Sequence, residues 1–182
     1  VSVDSQFNVY AGDGSHYVTK LSSSGKQLWQ WTAQSNVTSV AVDSSNNVYV
    51  GAGDSHVTKL DSNGKQIWQW TAPDIAASVA VDSQFNVYAG DWGNHVTKLG
   101  SNGKQLWQWS SSSKVYSVAV DSHFNAYVGD DSHHVTKLDS NGKQIWQWTA
   151  PYAVSSVAVD NQFNVYAGDY SGNVTKLQTA KS

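Results

Sequence analysis

One phrase of 39 residues is written almost five times along this chain, and whatever the chain folds into has to repeat with it. The aspartates Asp4, Asp43, Asp82, Asp121 and Asp160 keep that spacing, as do Thr19, Thr58, Thr97, Thr136 and Thr175, and no insertion or deletion breaks the register. Self-similarity at a period of about 20 to 50 residues marks a solenoid, a propeller or an array, in which no unit buries its apolar surface alone.

The second copy shows what one unit is. Ser39-Val40-Ala41-Val42-Asp43 and Asn47-Val48-Tyr49-Val50-Gly51 are short β-branched and aromatic runs separated by polar turn residues, which reads as strand, turn, strand. His56-Val57-Thr58-Lys59-Leu60 then leads through Asp61-Ser62-Asn63-Gly64 into Lys65-Gln66-Ile67-Trp68-Gln69-Trp70. The Asn-Gly pair signals a hairpin because both residues tolerate positive φ. No stretch places apolar residues at helical spacing between caps, so essentially no helix is expected.

Four antiparallel strands per unit of this length predict a radial all-β fold, a β-propeller whose sheets pack face to face around a central channel. Blades converge at the axis and diverge at the rim, so inner strands need small residues and outer strands bulky ones. The pairs Trp29 and Trp31, Trp68 and Trp70, Trp107 and Trp109, and Trp146 and Trp148 all fall in fourth strands, and a spacing of two puts both indoles of a pair on one sheet face.

Val40-Ala41-Val42-Asp43, Asn47-Val48-Tyr49-Val50 and His56-Val57-Thr58-Lys59-Leu60-Asp61 resemble the NHL repeat and the bacterial β-propeller repeat called SBBP, and the run from Lys59 to Trp68 is similar to the PQQ-type propeller repeat. The resemblance spans the whole chain and implies a propeller. Such repeats serve as binding modules, interaction platforms and a few enzymes, and the quinone or metal site of the enzyme members finds no matching residue set here.

The first three strands occur five times and the tryptophan strand four times, so the expected fold is a single domain over residues 1–182, a five-bladed β-propeller with four antiparallel strands per blade whose fifth blade lacks its outer strand. Repeats start near residues 1, 40, 79, 118 and 157. Val1 is expected to begin an innermost strand beside the fifth blade, and the open edge from Val174 to Leu177 invites a homodimer partner.

Copies of one unit can be compared with each other, and their differences cluster. The first-to-second and third-to-fourth turns are nearly constant, whereas the second-to-third turn and the interblade loop differ in every copy. In an up-and-down blade these two variable segments lie at the same end. The candidate ligand-binding residues gathered there are Asp13, Tyr17, Asp91, Trp92, His95, Tyr116, Asp130, His134, Tyr152, Tyr170 and Asn173. Planar aromatics beside carboxylate and amide groups suit a neutral polyol, so carbohydrate binding by several shallow sites is the leading expectation. The alternative is a protein-interaction or structural propeller without a small-molecule ligand.

The strand-end aspartates Asp43, Asp82, Asp121 and Asp160 read as backbone-capping Asx turns rather than as catalysts, because a structural role is what repetition implies. His56, His95 and His134 share one repeat position, but Tyr17 and Asn173 replace histidine in the other copies, and no metal is expected. Asp130 and Asp131 with Asp169 read as solvated rather than as a calcium site. Trp92 is the one tryptophan in a loop, which marks it as a contact residue.

No nucleophile-base pairing, phosphate-binding glycine loop or cysteine cluster rises above the repeat, so a non-enzyme needing no cofactor is expected. The chain contains no cysteine, and its net charge of −3 with no lysine-rich block argues against nucleic acid and acidic membranes as partners. Val1 opens inside the repeat with no charged-then-apolar stretch before it, so either a signal segment has been removed or the chain was cut from a longer one, and an extracellular protein is the expectation. Asn36 and Asn173 match the glycosylation acceptor pattern.

Overall fold

The computed structural model describes residues 1–177. The tail 178–182, whose lack of tryptophan entered the count of outer strands, lies outside the described residues. Among the described residues, nineteen strands form five antiparallel sheets with sequential order, four sheets of four strands and one of three. The first blade is β1 (Ser2–Val3), β2 (Val9–Gly12), β3 (Tyr17–Leu21) and β4 (Gln27–Thr32). The second is β5 (Val37–Val42), β6 (Val48–Ala52), β7 (His56–Leu60) and β8 (Gln66–Thr71), and the third is β9 (Ala76–Val81), β10 (Val87–Asp91), β11 (His95–Leu99) and β12 (Gln105–Ser110). The fourth is β13 (Val115–Val120), β14 (Ala126–Asp130), β15 (His134–Leu138) and β16 (Gln144–Thr149), and the fifth is β17 (Val154–Val159), β18 (Val165–Asp169) and β19 (Val174–Leu177). The chain is thus an all-β, five-bladed propeller whose last blade has three strands.

The core does not lie inside any blade. It is divided into four apolar slabs, each between one blade and the next, such as Tyr49, Val57, Val79 and Val87 between blades two and three. Glycine makes this close approach feasible at one place in each of the first four blades. A Cβ on Gly90 would stand 2.5 Å from the Val115 side chain and 2.8 Å from that of Val118. The tryptophans act where wedge geometry requires bulk: Trp29, Trp68 and Trp107 donate from Nε1 to the carbonyls of Ser62, Ser101 and Ser140 in the following blade at 3.0 Å. Their rings lie over Gly64, Gly103 and Gly142 of that blade's third-to-fourth turn.

Each first-to-second turn is built around its aspartate. Asp121 Oδ1 accepts from the backbone N–H groups of His123 and Asn125, and Oδ2 accepts from Asn125 Nδ2 and the buried hydroxyl of Tyr127, all at 2.8–2.9 Å. The same set recurs around Asp4, Asp43, Asp82 and Asp160. Lys20, Lys59, Lys98, Lys137 and Lys176 lie over the faces of the bonded tyrosines. So tightly held a turn forces its fourth residue into the left-handed region, and Phe7, Phe85, Phe124 and Phe163 occupy it at φ 62° to 66°. A bulky residue there costs about 1 kcal/mol; only the second copy uses the easier Asn46. In the third-to-fourth turns glycine alone takes positive φ, as at Gly64, and Asn63 does not, so these are not the two-residue mirror-type turns that Asn-Gly suggests.

The fifth blade meets the first differently from the expectation. The four glycines equivalent to Gly168 press against the next blade, but a Cβ on Gly168 would meet only Ser156 of its own blade among the described residues. Val1 is 84% exposed. Among the described residues the five blades form an arc in which the fifth does not pack on the first as the other blades pack on their neighbours, and Val1 is not covered by the fifth blade.

Candidate functional site

Backbone bonds join the two variable segments at every junction, and this is what puts all the variation at one end of the arc. Ala33 and Val37 donate to the carbonyls of His16 and Asp13, Trp92 donates to Ile75, Asp131 to Lys114, and Tyr170 to Ala153, at 2.7–3.1 Å. Side chains on these loops are therefore held on a framework rather than on free segments.

Three of the candidate aromatics converge across blades three, four and five. Trp92 and Tyr116 meet edge to face with ring centroids 6.5 Å apart, and Tyr116 meets Tyr170 in the same way at 5.6 Å. The Lys114 ammonium lies 4.9 Å from the centre of the Trp92 ring. Tyr116 donates its hydroxyl to Asp131 Oδ1 at 3.1 Å; burial, then this bond and the charge of Asp131, push its phenol up. Trp92 and Tyr170 keep much of their surface in water, with 36% and 66% exposed. The loop position of Trp92 is occupied by Asp131 in blade four and Tyr170 in blade five, so one repeat position supplies three different contacts to this corner.

Tyr116 reaches the corner through a bulge. It reads as loop in the sequence, yet it belongs to β13, where the pairing passes from Val115 opposite Asp130 to Ser117 opposite Gly129 and leaves Tyr116 unpaired. A bulged residue is the usual means of re-aiming one side chain without ending a strand. Thr38, Ala77 and Ser155 take this position in the other blades, and only Tyr116 brings a ring to it.

The other candidates divide into loop supports and isolated exposed groups. Asp91 and Asp130 are buried and serve their own loops: Asp91 accepts from the His95 backbone at 3.1 Å, and Asp130 accepts from the His134 backbone at 2.9 Å and the Ser111 hydroxyl at 2.6 Å. His95 Nδ1 and His134 Nδ1 each lie 3.3 Å from these carboxylates. Burial pushes the Asp91 carboxyl up, against the hydrogen bonds and charge of His95. Asp13 caps the turn through the N–H groups of Ser15 and Tyr17, and Asn173 is tied to Asp169. Tyr17 and Tyr152 are exposed at the same end, outside the corner formed by the three rings. His56, His95 and His134 each face a carboxylate of their own loop, and among the described residues no three metal-ligating side chains stand together.

Lys114 and Asp131 are the site residues that the list of candidates omits. A signal for Lys114 is present in the sequence. Nine of the lysines recur at two fixed repeat positions, and Lys114 falls on neither.

A family model described as outer membrane protein assembly factor BamB matches the chain twice, over residues 1–115 and over residues 54–182. The crystal structure of the WD40 beta propeller domain of Doa1 superposes with a TM-score of 0.86 at 16% identity over 96% of the chain. The chain spans 61% of the length of that domain, so it matches an arc of a larger propeller. No curated protein sequence matches the chain.

Proposed function

Since the chain belongs to the propeller family described as outer membrane protein assembly factor BamB, we propose that it is a non-enzymatic interaction module that docks a protein segment on the Trp92–Tyr116–Tyr170 corner. The observation that carries this reading is the convergence of three rings from three blades at the end where the copies vary. A half-exposed tryptophan and tyrosine, pre-set by a rigid sheet and flanked by Lys114 and Asp131, have the composition of an interaction hot spot. The Lys114 ammonium occupies one face of the Trp92 indole. That removes half of the flat platform on which a sugar would stack, and it favours a protein partner over a polyol.

Selection of peptides from a displayed library against the immobilised chain tests the reading. Selected peptides should bind the Trp92→Ala, Tyr170→Ala double variant at least about tenfold more weakly, as expected for loss of two aromatic anchors. Equal binding to both proteins refutes the site. Binding on a glycan array that the double variant loses would replace the protein segment with carbohydrate.

A further inference from the structure

We propose that the two ends of the arc are the two halves of one interface, and that copies of this chain associate head to tail, the first blade of one on the fifth blade of another. The observation is a pair of complementary faces, each repeated inside the molecule in its covered state. On the trailing side, Val18, Val57, Val96 and Val135 are fully buried beneath the next blade, whereas the equivalent Val174 is 77% exposed. Tyr10, Tyr49, Tyr88 and Tyr127 are likewise fully buried, and Tyr166 is not. On the leading side, Val40, Val79, Val118 and Val157 are buried against the preceding blade, and the equivalent Val1 stands in water. Phe7 is 73% exposed, while Phe85, Phe124 and Phe163 are half-buried.

The polar contacts carry the same asymmetry. Ser39, Ser78 and Ser117 accept from the backbone N–H groups of Val79, Val118 and Val157 in the following blade at 3.0–3.1 Å. Ser156 occupies that position in the fifth blade and is exposed. Gly12, Gly51, Gly90 and Gly129 leave room for the next blade, and Gly168 leaves the same room with no such neighbour among the described residues. Four internal junctions therefore show what covers each end: another blade of this repeat. A second copy supplies one with the right side chains in the right register. The contact is between sheet faces, unlike pairing along the β19 edge, and it is heterologous, so it propagates to rings or filaments rather than stopping at a symmetric pair.

Mass measured by light scattering should rise above the 19.7 kDa of one chain as concentration is raised from about 10 µM to about 1 mM, the range of a small interface. Gly168→Val blocks the trailing face and Val1→Asp the leading face, and both positions are open enough for the single chain to fold, which an unchanged thermal midpoint checks. Each variant alone should remain a monomer. Mixed, they should form a species of twice the chain mass and nothing larger, because each retains the half the other has lost. A wild-type chain that stays at one chain mass throughout, or a variant that still associates by itself, overturns the proposal.

Discussion

Asp121→Ala lowers the stability of the chain by about 3 kcal/mol, because the carboxylate holds together a turn whose other members cannot be satisfied without it. Removing it takes the acceptor from two backbone N–H groups, from Asn125 Nδ2 and from the Tyr127 hydroxyl, which is fully buried. Water reaches the backbone groups of the exposed turn but not the phenol. The left-handed Phe124 also loses the framework that imposes its conformation. Thermal unfolding checks this, with a fall in Tm of about 6–12 °C for a chain of this size. Tyr127→Phe is the milder control at about 1 kcal/mol, since the carboxylate keeps its other three donors.

The same turn fixes the acid limit. Burial pushes the Asp121 carboxyl up, but the hydrogen bonds from Asn125, Tyr127 and His123 outweigh it and hold it below the usual carboxylate range. Asp4 and Asp160 are held low by the equivalent bonds. A depressed folded pKa adds stability that is present above the unfolded value and lost as pH falls through the folded one. Stability should therefore be steady towards neutral pH and drop below about pH 4. Asp91, with its carboxyl pushed up, titrates in the opposite sense. A Tm series between neutral and acid pH tests the sign, and a midpoint that rises below pH 4 would contradict it.

Gly90→Val should cost about 2–3 kcal/mol by forcing two blades apart. The added side chain enters the space of Val115, which is fully buried, and of Val118, neither of which can retreat without disturbing the slab behind it. Gly168→Val makes the same chemical change at the equivalent position and should stay within about 0.5 kcal/mol of wild type, since valine suits a strand and, among the described residues, no other blade faces it. Chemical denaturation of the two variants side by side measures the effect of the covering blade directly.

Most of the fold is legible in the sequence because a strict period constrains every unit at once: the strand pattern, the tryptophans in fourth strands and the three-stranded last blade all follow from counting. What the period cannot express is how one end meets the other. Gly168 and Gly90 are indistinguishable as letters, and only their neighbours differ. At the candidate site, comparing copies brings Trp92, Tyr116 and Tyr170 into a wider set of candidates on the variable loops, because variation against a constant background is itself a signal. It does not separate exposed groups from loop supports: Asp91 and Asp131 look equivalent in a loop, yet the first is buried beneath His95 and the second reaches Tyr116. The bulge at Tyr116 was hidden because it shifts pairing on a neighbouring strand, and pairing is a property of two segments.

The slabs of core lie between units, and all four are built from equivalent repeat positions, with valine and alanine exchanging at several of them. Excising one interior copy, or splicing in another, would bring together surfaces that already know how to meet. Such a gene is free to lengthen and shorten by whole words through unequal recombination, with each product still foldable, and its length becomes as open to selection as any single residue.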